Sequence, residues 1–381
     1  MIDAPFDGID VTRPHRCKVV DLNLLAAREA LVDARVNLRT VDRSRFGCAI
    51  SAHMGDTGYI ENQFGLDHRP EPNALNWWDQ YFPSTACSVV TAAFGLYGPT
   101  FSHSVACASG LVDILAAVRA LRDGQCDIAL AGSSEAFHPL FCAGFRKMKA
   151  LAEPSDIDDP RQACRPFDRH RRGFVMGEGG AVFVVERLSH AVNRGAPIYA
   201  EVVDGKLVAE AHHVTGISAD SEALEYSIAA TLKRAKVEPK KIGYISAHGT
   251  GTVQNDVAEA LGIRRALGAA ADSVCVSSIK SMVGHLVNAS GSVELAITAL
   301  ALRDGYAPPT INLTDPDPEC RLDCLPLVGR MKRLEYALKT SLAFGGHTGT
   351  ILLRRWDKAR GGFAQQARPV RQPSRYPYQA A

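Results

Sequence analysis

Short apolar runs alternate along the chain with longer segments in which apolar residues recur at helical spacing. The stretch GLVDILAAVRALRDG, for example, places apolar side chains at i, i+3, i+4 and i+7, which predicts an amphipathic helix. Alternation of this kind is typical of sheets covered by helices, so we expect an α/β protein. The predicted strands are 46–52, 126–132, 180–186, 198–203, 241–247 and 273–278.

An internal repeat divides the chain into two related halves. Residues 109–124 and 290–305 match at eight of 16 positions, at an offset of 181 residues. Both segments begin with Ser-Gly and end in Arg-Asp-Gly, where glycine can take the left-handed cap. Two unrelated amphipathic helices could match by chance, but the shared ends argue against it. We expect a duplicated α/β unit whose repeat helices pack around a pseudo-twofold axis.

Composition and charge limit the function classes. The 381 residues are 46% apolar and 22% charged, as in an ordinary soluble globular protein. We expect an N-terminal half over 1–196, a C-terminal half over 197–356 and a flexible basic tail over 357–381. The net charge is +2, and the tail alone carries +4, so the body is slightly acidic. That balance argues against nucleic acid as a partner, because binding it needs clustered cations.

Cysteine usage and hydropathy indicate the compartment. Ten cysteines are scattered along the chain, and its first residues, MIDAPFDGID, have neither a basic nor an apolar region. We therefore expect a cytoplasmic protein with reduced thiols. Cys320 and Cys324 have no second half-site at zinc-ligand spacing, so no metal is expected. No apolar run approaches the roughly 20 residues that span a bilayer, so no membrane association is expected.

A cysteine lies in the segment SVACASG, directly ahead of the first repeat helix. Its small neighbours leave room for a substrate. The free amides and the positive end of the helix dipole favour a thiolate there, which is the nucleophilic form. Cys107 is therefore a candidate nucleophile, and a cysteine that merely fills the core is the alternative.

Two polar segments follow predicted strands, where ligands bind in open α/β sheets. His248 lies in AHGTGT, which lacks the Gly-Lys-Ser/Thr of a phosphate-binding loop. Lys280 and His285 lie in SIKSMVGH, which runs into the second repeat helix, and Lys280 can supply positive charge beside His285. Each residue alone could be structural, but their joint placement beside the repeat helix indicates a site.

A glycine-rich turn, AFGGHTG at 343–349, separates two apolar segments. It could be a plain hairpin. Alternatively, it could direct backbone N–H groups at a developing oxyanion.

The segments VACASG, HGTGT, KSxxGH and FGG, in this order, resemble the signature of the β-ketoacyl synthases. The resemblance extends over residues 16–356 and includes 165–186 and 306–313. It implies a duplicated thiolase fold with layers in the order α-β-α-β-α. It also implies that the first N-terminal strand is missing, because Met1 falls inside the family pattern. A Cys-His-His set is typical of the elongating and polyketide-type synthases.

The resemblance also implies a role for each candidate residue. Cys107 would be the acyl-accepting nucleophile, and His248 and His285 the pair that promotes malonyl decarboxylation and stabilises the enolate. Lys280 would orient the neighbouring histidine and tune its pKa. The backbone N–H groups of Cys107 and Phe344 would form the oxyanion hole, and Phe344 would act as a gate.

Further implied roles concern the carrier-bound substrate. Thr250 and Thr252 match positions that bind the phosphopantetheine arm, and Glu294 matches an acidic residue that supports the Lys280 region. The implied partner is an acyl carrier protein, the implied assembly a homodimer or a heterodimer with a related subunit, and no cofactor is required. Ordinary solvated surface is an equal alternative for the proposed carrier-docking cations. These cations are Arg13, Arg16, Lys18 and Arg165.

The implied activity is decarboxylative Claisen condensation of a Cys-bound acyl group with a malonyl-carrier thioester, in fatty-acid or polyketide synthesis. One alternative is a catalytically silent subunit like a chain-length factor. Another is an acyltransferase or thioesterase that uses the same cysteine. The gate loop departs from the family's NSFGFGGTN, because residues 340–348 read TSLAFGGHT and lack one Phe, one Gly and the Asn.

Overall fold

The computed structural model describes residues 17–52, 82–153 and 159–357. The helices are α1 (Lys18–Asp33), α2 (Thr85–Phe94), α3 (Ser109–Arg122), α4 (Pro139–Lys147), α5 (Leu188–Asn193), α6 (Glu222–Ala235), α7 (Val253–Leu267), α8 (Lys280–Val283) and α9 (Ser290–Asp304). The strands are β1 (Phe46–Ala52), β2 (Thr100–Phe101), β3 (Ile128–Glu135), β4 (Gly179–Glu186), β5 (Ala200–Ala209), β6 (Ile242–Ser246), β7 (Cys275–Ser277), β8 (Tyr306–Ala307), β9 (Arg330–Met331), β10 (Tyr336–Ala343) and β11 (His347–Arg355).

Two sheets form the frame, and each is built from one half of the chain. The first has four strands in the order β2-β1-β3-β4, with β1 parallel to β2 and β3, and β4 antiparallel to β3. The second has five strands in the order β5-β11-β10-β6-β7. There β6 runs parallel to β7 and β10, while β11 runs antiparallel to both β10 and β5. The expected α/β class is confirmed.

The two sheets have the same topology except at one edge. Strands β1 to β4 correspond in order and direction to β6, β7, β10 and β11. In the second sheet β11 pairs along its outer edge with β5, whereas β4 ends the first sheet among the described residues. By this correspondence, a first strand of the N-terminal half would lie at this position beside β4.

Five layers stack in the expected order. Helices α1 and α2 pack on the outer face of the first sheet, and α6 and α7 on the outer face of the second. Helices α3 and α9 lie between the sheets and contribute most of the central apolar core. Each sheet is thus covered on both faces, which is why β1 and β3 read as continuous apolar or small-residue runs rather than alternating ones.

The two repeat helices, α3 and α9, pack directly against each other at their N-terminal glycines. A Cβ on Gly110 would come 3.0 Å from the Ser292 backbone nitrogen, and one on Gly291 would come 2.8 Å from that of Leu111. The repeated Ser-Gly start therefore allows two helix N-termini to approach closely. Because the residues just ahead of each helix are brought together as well, this contact positions the candidate site.

Candidate active site

The candidate site lies at the inner end of a cavity of about 340 Å³ between the two halves. Cys107 comes from the first half, and His248 and His285 come from the second. All three are buried, and their donor atoms lie within 4.8 Å of one another. The cavity therefore joins residues that are far apart in sequence at one reaction centre.

Cys107 lies in a single 3₁₀ turn, 106–108, immediately before α3. Ala106 has a φ of 48°, a left-handed conformation that costs an L-residue roughly 1–2 kcal/mol. Burial raises the pKa of the Cys107 thiol to about 12, although the Lys280 ammonium lowers it in part. The resting group is therefore a thiol, and the thiolate expected from the helix start alone is outweighed by desolvation.

The tautomer of His285 follows from its hydrogen bonds. The Val287 backbone N–H donates to His285 Nδ1 over 3.2 Å, and Ser290 Oγ lies 2.7 Å from the same nitrogen. Because an amide N–H cannot accept, Nδ1 carries no proton in this arrangement. The ring proton is then on Nε2, which lies 3.1 Å from Cys107 Sγ.

His248 is held in the same tautomer by a different donor. Lys280 Nζ lies 3.4 Å from His248 Nδ1 and also donates to the His248 carbonyl oxygen. An ammonium group can only donate, so the His248 ring proton is also on Nε2. The sequence pattern placed the Lys280 charge beside His285, and this charge does lower the pKa of His285, but the direct contact of the lysine is with the other histidine. The lysine contacts His248, because the short helix α8 directs its side chain toward the end of β6.

Both imidazoles are neutral at physiological pH. Burial lowers the pKa of His248 well below its ordinary value, and the Lys280 charge lowers it further. Burial, followed by the same charge, also lowers the pKa of His285. The two ring centroids are 5.4 Å apart. The cavity therefore ends in two neutral N–H donors beside a thiol.

Behind the histidines lies a fully buried set of charged groups. Glu294 forms ion pairs with Lys280 and, over 2.7 Å, with Lys339. Glu259 accepts the backbone N–H groups of His248 and Gly249, each over 2.7 Å. Glu294 thus lies directly beside Lys280.

The cavity wall contains the other residues expected around the substrate. Thr250 and Thr252 line it, and their hydroxyl oxygens are 2.9 Å apart. Phe344 also lines it, with its ring centroid 6.2 Å from that of Phe145. Phe344 begins the tight turn between β10 and β11, so the glycine-rich segment is a hairpin whose tip faces the cavity. Gly345 and Gly346, with φ of 85° and 73°, make that turn possible.

Of the expected carrier-docking cations, the two in the described part of the chain, Lys18 and Arg165, do not line the cavity. Arg13 and Arg16 lie outside the described residues, as does the tail beyond Asp357. Lys18 forms a 2.6 Å ion pair with Glu178. Arg165 is largely buried beside Asp168.

Other cavity residues escaped sequence reasoning. Lys149 and Arg172 line the cavity, as do Phe145 and Phe174. Both cations lie in short basic segments, DRHRRG and FRKMK, which look like ordinary solvated surface in the sequence. Lys339 did carry a signal, because a lysine inside the apolar run YALKTSL is unusual for a buried strand.

The Cys107, His248 and His285 set is also the one group of three possible metal ligands within bonding reach in the described part of the chain. Its hydrogen bonds do not fit a metal site. A metal-bound histidine donates its second ring nitrogen to an acceptor, whereas both Nδ1 atoms here accept. Cys320 and Cys324 are buried free thiols.

A buried thiol ahead of a helix, faced by two N–H donors between duplicated halves, defines a thioester-condensing enzyme of the thiolase fold. The family model for the β-ketoacyl synthase N-terminal domain matches residues 1–191, and that for the C-terminal domain matches residues 199–314. The chain belongs to the β-ketoacyl synthase family.

Similar proteins come from both branches of the family. The chain is 39% identical over 349 residues to the tetracenomycin polyketide synthase ketoacyl synthase alpha subunit of Streptomyces glaucescens, covering 89% of this chain and 81% of the relative. It is 38% identical over 343 residues to 3-oxoacyl-[acyl-carrier-protein] synthase 2 of Vibrio cholerae serotype O1, covering 88% and 82%.

Solved structures agree with the sequence relatives. A type II polyketide ketosynthase, AntDE, solved in complex with its acyl carrier protein AntF, superimposes with a TM-score of 0.85 at 34% identity, over 92% of this chain and 87% of that one. A β-ketoacyl synthase from Burkholderia phymatum gives 0.83 at 30% identity, over 94% and 87%. No helix in the described ranges is long and apolar enough to cross a membrane.

Proposed function

We propose that the protein condenses an acyl group, bound as a thioester to Cys107, with a malonyl thioester carried by an acyl carrier protein. The observation that carries this proposal is the meeting of Cys107 Sγ with two imidazoles that both present Nε2–H to the cavity. The chemistry is the ketosynthase reaction of fatty-acid or polyketide synthesis. It requires no metal or redox cofactor.

The first half-reaction transfers the acyl group to Cys107. Because burial raises the pKa of Cys107 to about 12, the thiol is the resting form at neutral pH, and the thiolate forms in the presence of the substrate rather than beforehand. The His285 Nε2–H and the start of α3 stabilise it as it forms. The sulfur attacks the carrier thioester, and the carrier thiol leaves with the proton that Cys107 gave up.

The second half-reaction forms the carbon–carbon bond. Malonyl thioester loses CO₂, and the electron pair of the broken bond becomes an enolate, whose oxygen accepts hydrogen bonds from His248 and His285. Neutral imidazole donors suit this step because they stabilise the enolate charge without transferring a proton, which would destroy the carbon nucleophile. The enolate carbon attacks the acyl carbonyl, and Cys107 leaves as a thiolate that is reprotonated from solvent.

The remaining cavity residues hold the substrate in place. The backbone N–H groups of Cys107 and Phe344 would stabilise the tetrahedral intermediate, and the Phe344 ring would admit the acyl chain or exclude it. The Thr250 and Thr252 hydroxyls would bind the phosphopantetheine arm. Lys149, at the cavity wall, would favour an acidic carrier protein.

Assembly and location complete the proposal. A homodimer is the expected state, with a heterodimer of related subunits as the other arrangement. We place the reaction in the cytoplasm, because all ten cysteines are free thiols and a reducing compartment keeps them so.

A silent subunit is disfavoured by the presence of Cys107 within hydrogen-bond reach of His285.

The test is incubation with an acyl-carrier thioester, measurement of the intact protein mass, and then addition of malonyl-carrier. Condensation predicts an acyl adduct, followed by release of CO₂ and a 3-ketoacyl thioester. An adduct that is transferred or hydrolysed without CO₂ would indicate an acyltransferase or thioesterase. Absence of any adduct would indicate a silent subunit.

A further inference from the structure

The side chain of Lys339 is a second buried cation behind the catalytic histidines. It lies in the middle of β10 and is 0% exposed. Its Nζ forms an ion pair with Glu294 Oε2 over 2.7 Å and donates its hydrogen bond to the Thr340 carbonyl oxygen. A lysine is almost never this buried without a partner that compensates its desolvation.

Glu294 is shared between two lysines, one on each oxygen. Lys280 takes Oε1, and Lys339 takes Oε2. Lys280 has three N–H groups, and these serve Glu294, the His248 carbonyl and His248 Nδ1. If Lys339 were absent, the free carboxylate oxygen would compete for the Lys280 proton that now faces His248 Nδ1.

The charges of the buried set balance only when Lys339 is counted. The next residue, Thr340, donates its hydroxyl to Glu259 over 2.7 Å, on the opposite face of the strand. The set is then Lys280 and Lys339 against Glu259 and Glu294. Without Lys339 a net negative charge would remain in a region from which water is excluded, close to both imidazoles.

Lys339 also acts on the histidines at a distance. Its charge contributes to lowering the pKa of both His248 and His285, after burial and Lys280. The charged groups that face Lys339 are Glu294 on α9, Lys280 on α8 and Glu259 on α7. Burial lowers the pKa of Lys339 itself, and the two carboxylates oppose that shift.

We propose that Lys339 is a positioning residue of the condensation site. By pairing with the second oxygen of Glu294, it keeps Lys280 directed at His248, which holds His248 as an Nε2–H donor, and its positive charge disfavours a further positive charge on either imidazole. The effect of Lys339 on catalysis rests on the proposed function. Its effect on Lys280 and on the protonation of the two histidines does not depend on that activity.

The test compares Lys339→Met, which keeps length and apolar volume but removes the charge, with wild type. Loss of a nearby cation raises the pKa of a histidine. We therefore expect the proton affinity of the His248 and His285 imidazoles to increase about tenfold in this variant. Histidine NMR titration measures this directly, with the two signals assigned by their loss in His248→Asn and His285→Asn. In the pH–rate profile of malonyl decarboxylation, the acidic side should shift to higher pH by about one pH unit. The maximal rate at the plateau of the profile should change less.

Lys206→Met is the matched control. Lys206 lies on β5 of the same sheet, with its Nζ 5.9 Å from the Tyr226 ring centroid, and it does not line the cavity. Its substitution removes one lysine charge and should leave both histidine titrations unchanged. An equal shift in this control would show a general charge effect and would overturn the proposal.

The double variant Lys339→Met with Glu294→Gln restores the balance of buried charge. Its histidine titration should lie closer to wild type than that of the single variant, and it keeps the proposal testable if the single variant does not fold. A lowered melting temperature with wild-type histidine titration would make Lys339 merely structural and would refute the proposal. If wild type shows no decarboxylation, the proposed function fails, while the NMR titration still decides the role of Lys339.

Discussion

The two halves of the protein place the same type of backbone turn ahead of equivalent helices, α3 and α9, but the residues in the turn and their roles differ. Cys107 precedes α3, and Asn288 occupies the corresponding position before α9, one repeat offset of 181 residues later. The residues just before them, Ala106 and Val287, are both left-handed, with φ of 48° and 40°. Duplication therefore preserved a strained turn in both halves, and the residue after it decides what the turn does.

In the first half the turn presents a thiol to the cavity, whereas in the second half it holds the halves together. Asn288 donates its side-chain amide to the Ser134 carbonyl oxygen over 3.0 Å, and its backbone N–H to Glu135 over 3.2 Å. It is 0% exposed and does not line the cavity. The first half therefore supplies the nucleophile, while the second supplies the imidazole N–H donors that face it.

A second pair of positions differs in the same way. Asp113 on α3 corresponds to Glu294 on α9. Asp113 pairs with the partly exposed His103 over 2.6 Å, whereas Glu294 pairs with two buried lysines. The longer side chain of Glu294 reaches the charged groups behind the catalytic histidines, so the acidic position became part of the site in the second half alone.

The largest expected effect comes from Cys107→Ala, which removes the nucleophile of the first half. The acyl adduct should disappear, and condensation should fall by at least about 10³-fold, because covalent catalysis is lost. The protein should stay folded, since the small alanine fits the buried site. Intact-mass measurement checks the adduct, and an adduct that persists would mean that another residue is the nucleophile.

The next effect, from His248→Ala, tests the division of labour between the halves. Malonyl decarboxylation should fall by about 10²- to 10⁴-fold, because one of the two enolate donors is lost. Acylation of Cys107 should change much less, since His285 is the imidazole in contact with the sulfur. Separate rate measurements for acylation and CO₂ release check this. Equal losses in both steps would contradict the assignment of His248 to the second half-reaction.

The smallest effect in catalysis is expected from Asn288→Ala, at the position equivalent to Cys107. The free energy of unfolding should fall by about 1–3 kcal/mol, because the buried Ser134 carbonyl oxygen loses the hydrogen bond that the Asn288 side chain donates. Acylation and decarboxylation by the folded fraction should stay within several-fold of wild type. Denaturant unfolding measures the first quantity and steady-state rates the second. An acylation defect as large as that of Cys107→Ala would remove the distinction between the halves.

The repeat and the motif residues could be predicted from the sequence because each leaves a local pattern, whereas the layer order followed from the family resemblance. Helical periodicity located α3 and α9, and the fixed motif order located Cys107, His248 and His285. The short strand β2 leaves almost no pattern in two residues, Thr100 and Phe101. The sequence could not show which histidine contacts the Lys280 ammonium, because the contact depends on where α8 directs a flexible side chain.

Charge within the core was equally hard to predict. Lys339 could be noticed as a lysine in an apolar strand. Its partner, Glu294, lies 45 residues earlier in the chain and on a different element, so the pairing could not be predicted. The effect of burial on Cys107 was also hidden, because the helix start and desolvation act in opposite directions on its pKa. Three-dimensional burial decides which of them prevails.

A single-turnover reaction of acylated protein with ¹³C-labelled malonyl-carrier tests the proposed condensation most directly. We expect each acyl group lost from Cys107 to be matched by one CO₂ released and one 3-ketoacyl-carrier formed, with the label in the new carbon–carbon bond. Loss of the acyl group without a matching release of CO₂, or release of CO₂ with the adduct still on Cys107, would contradict it.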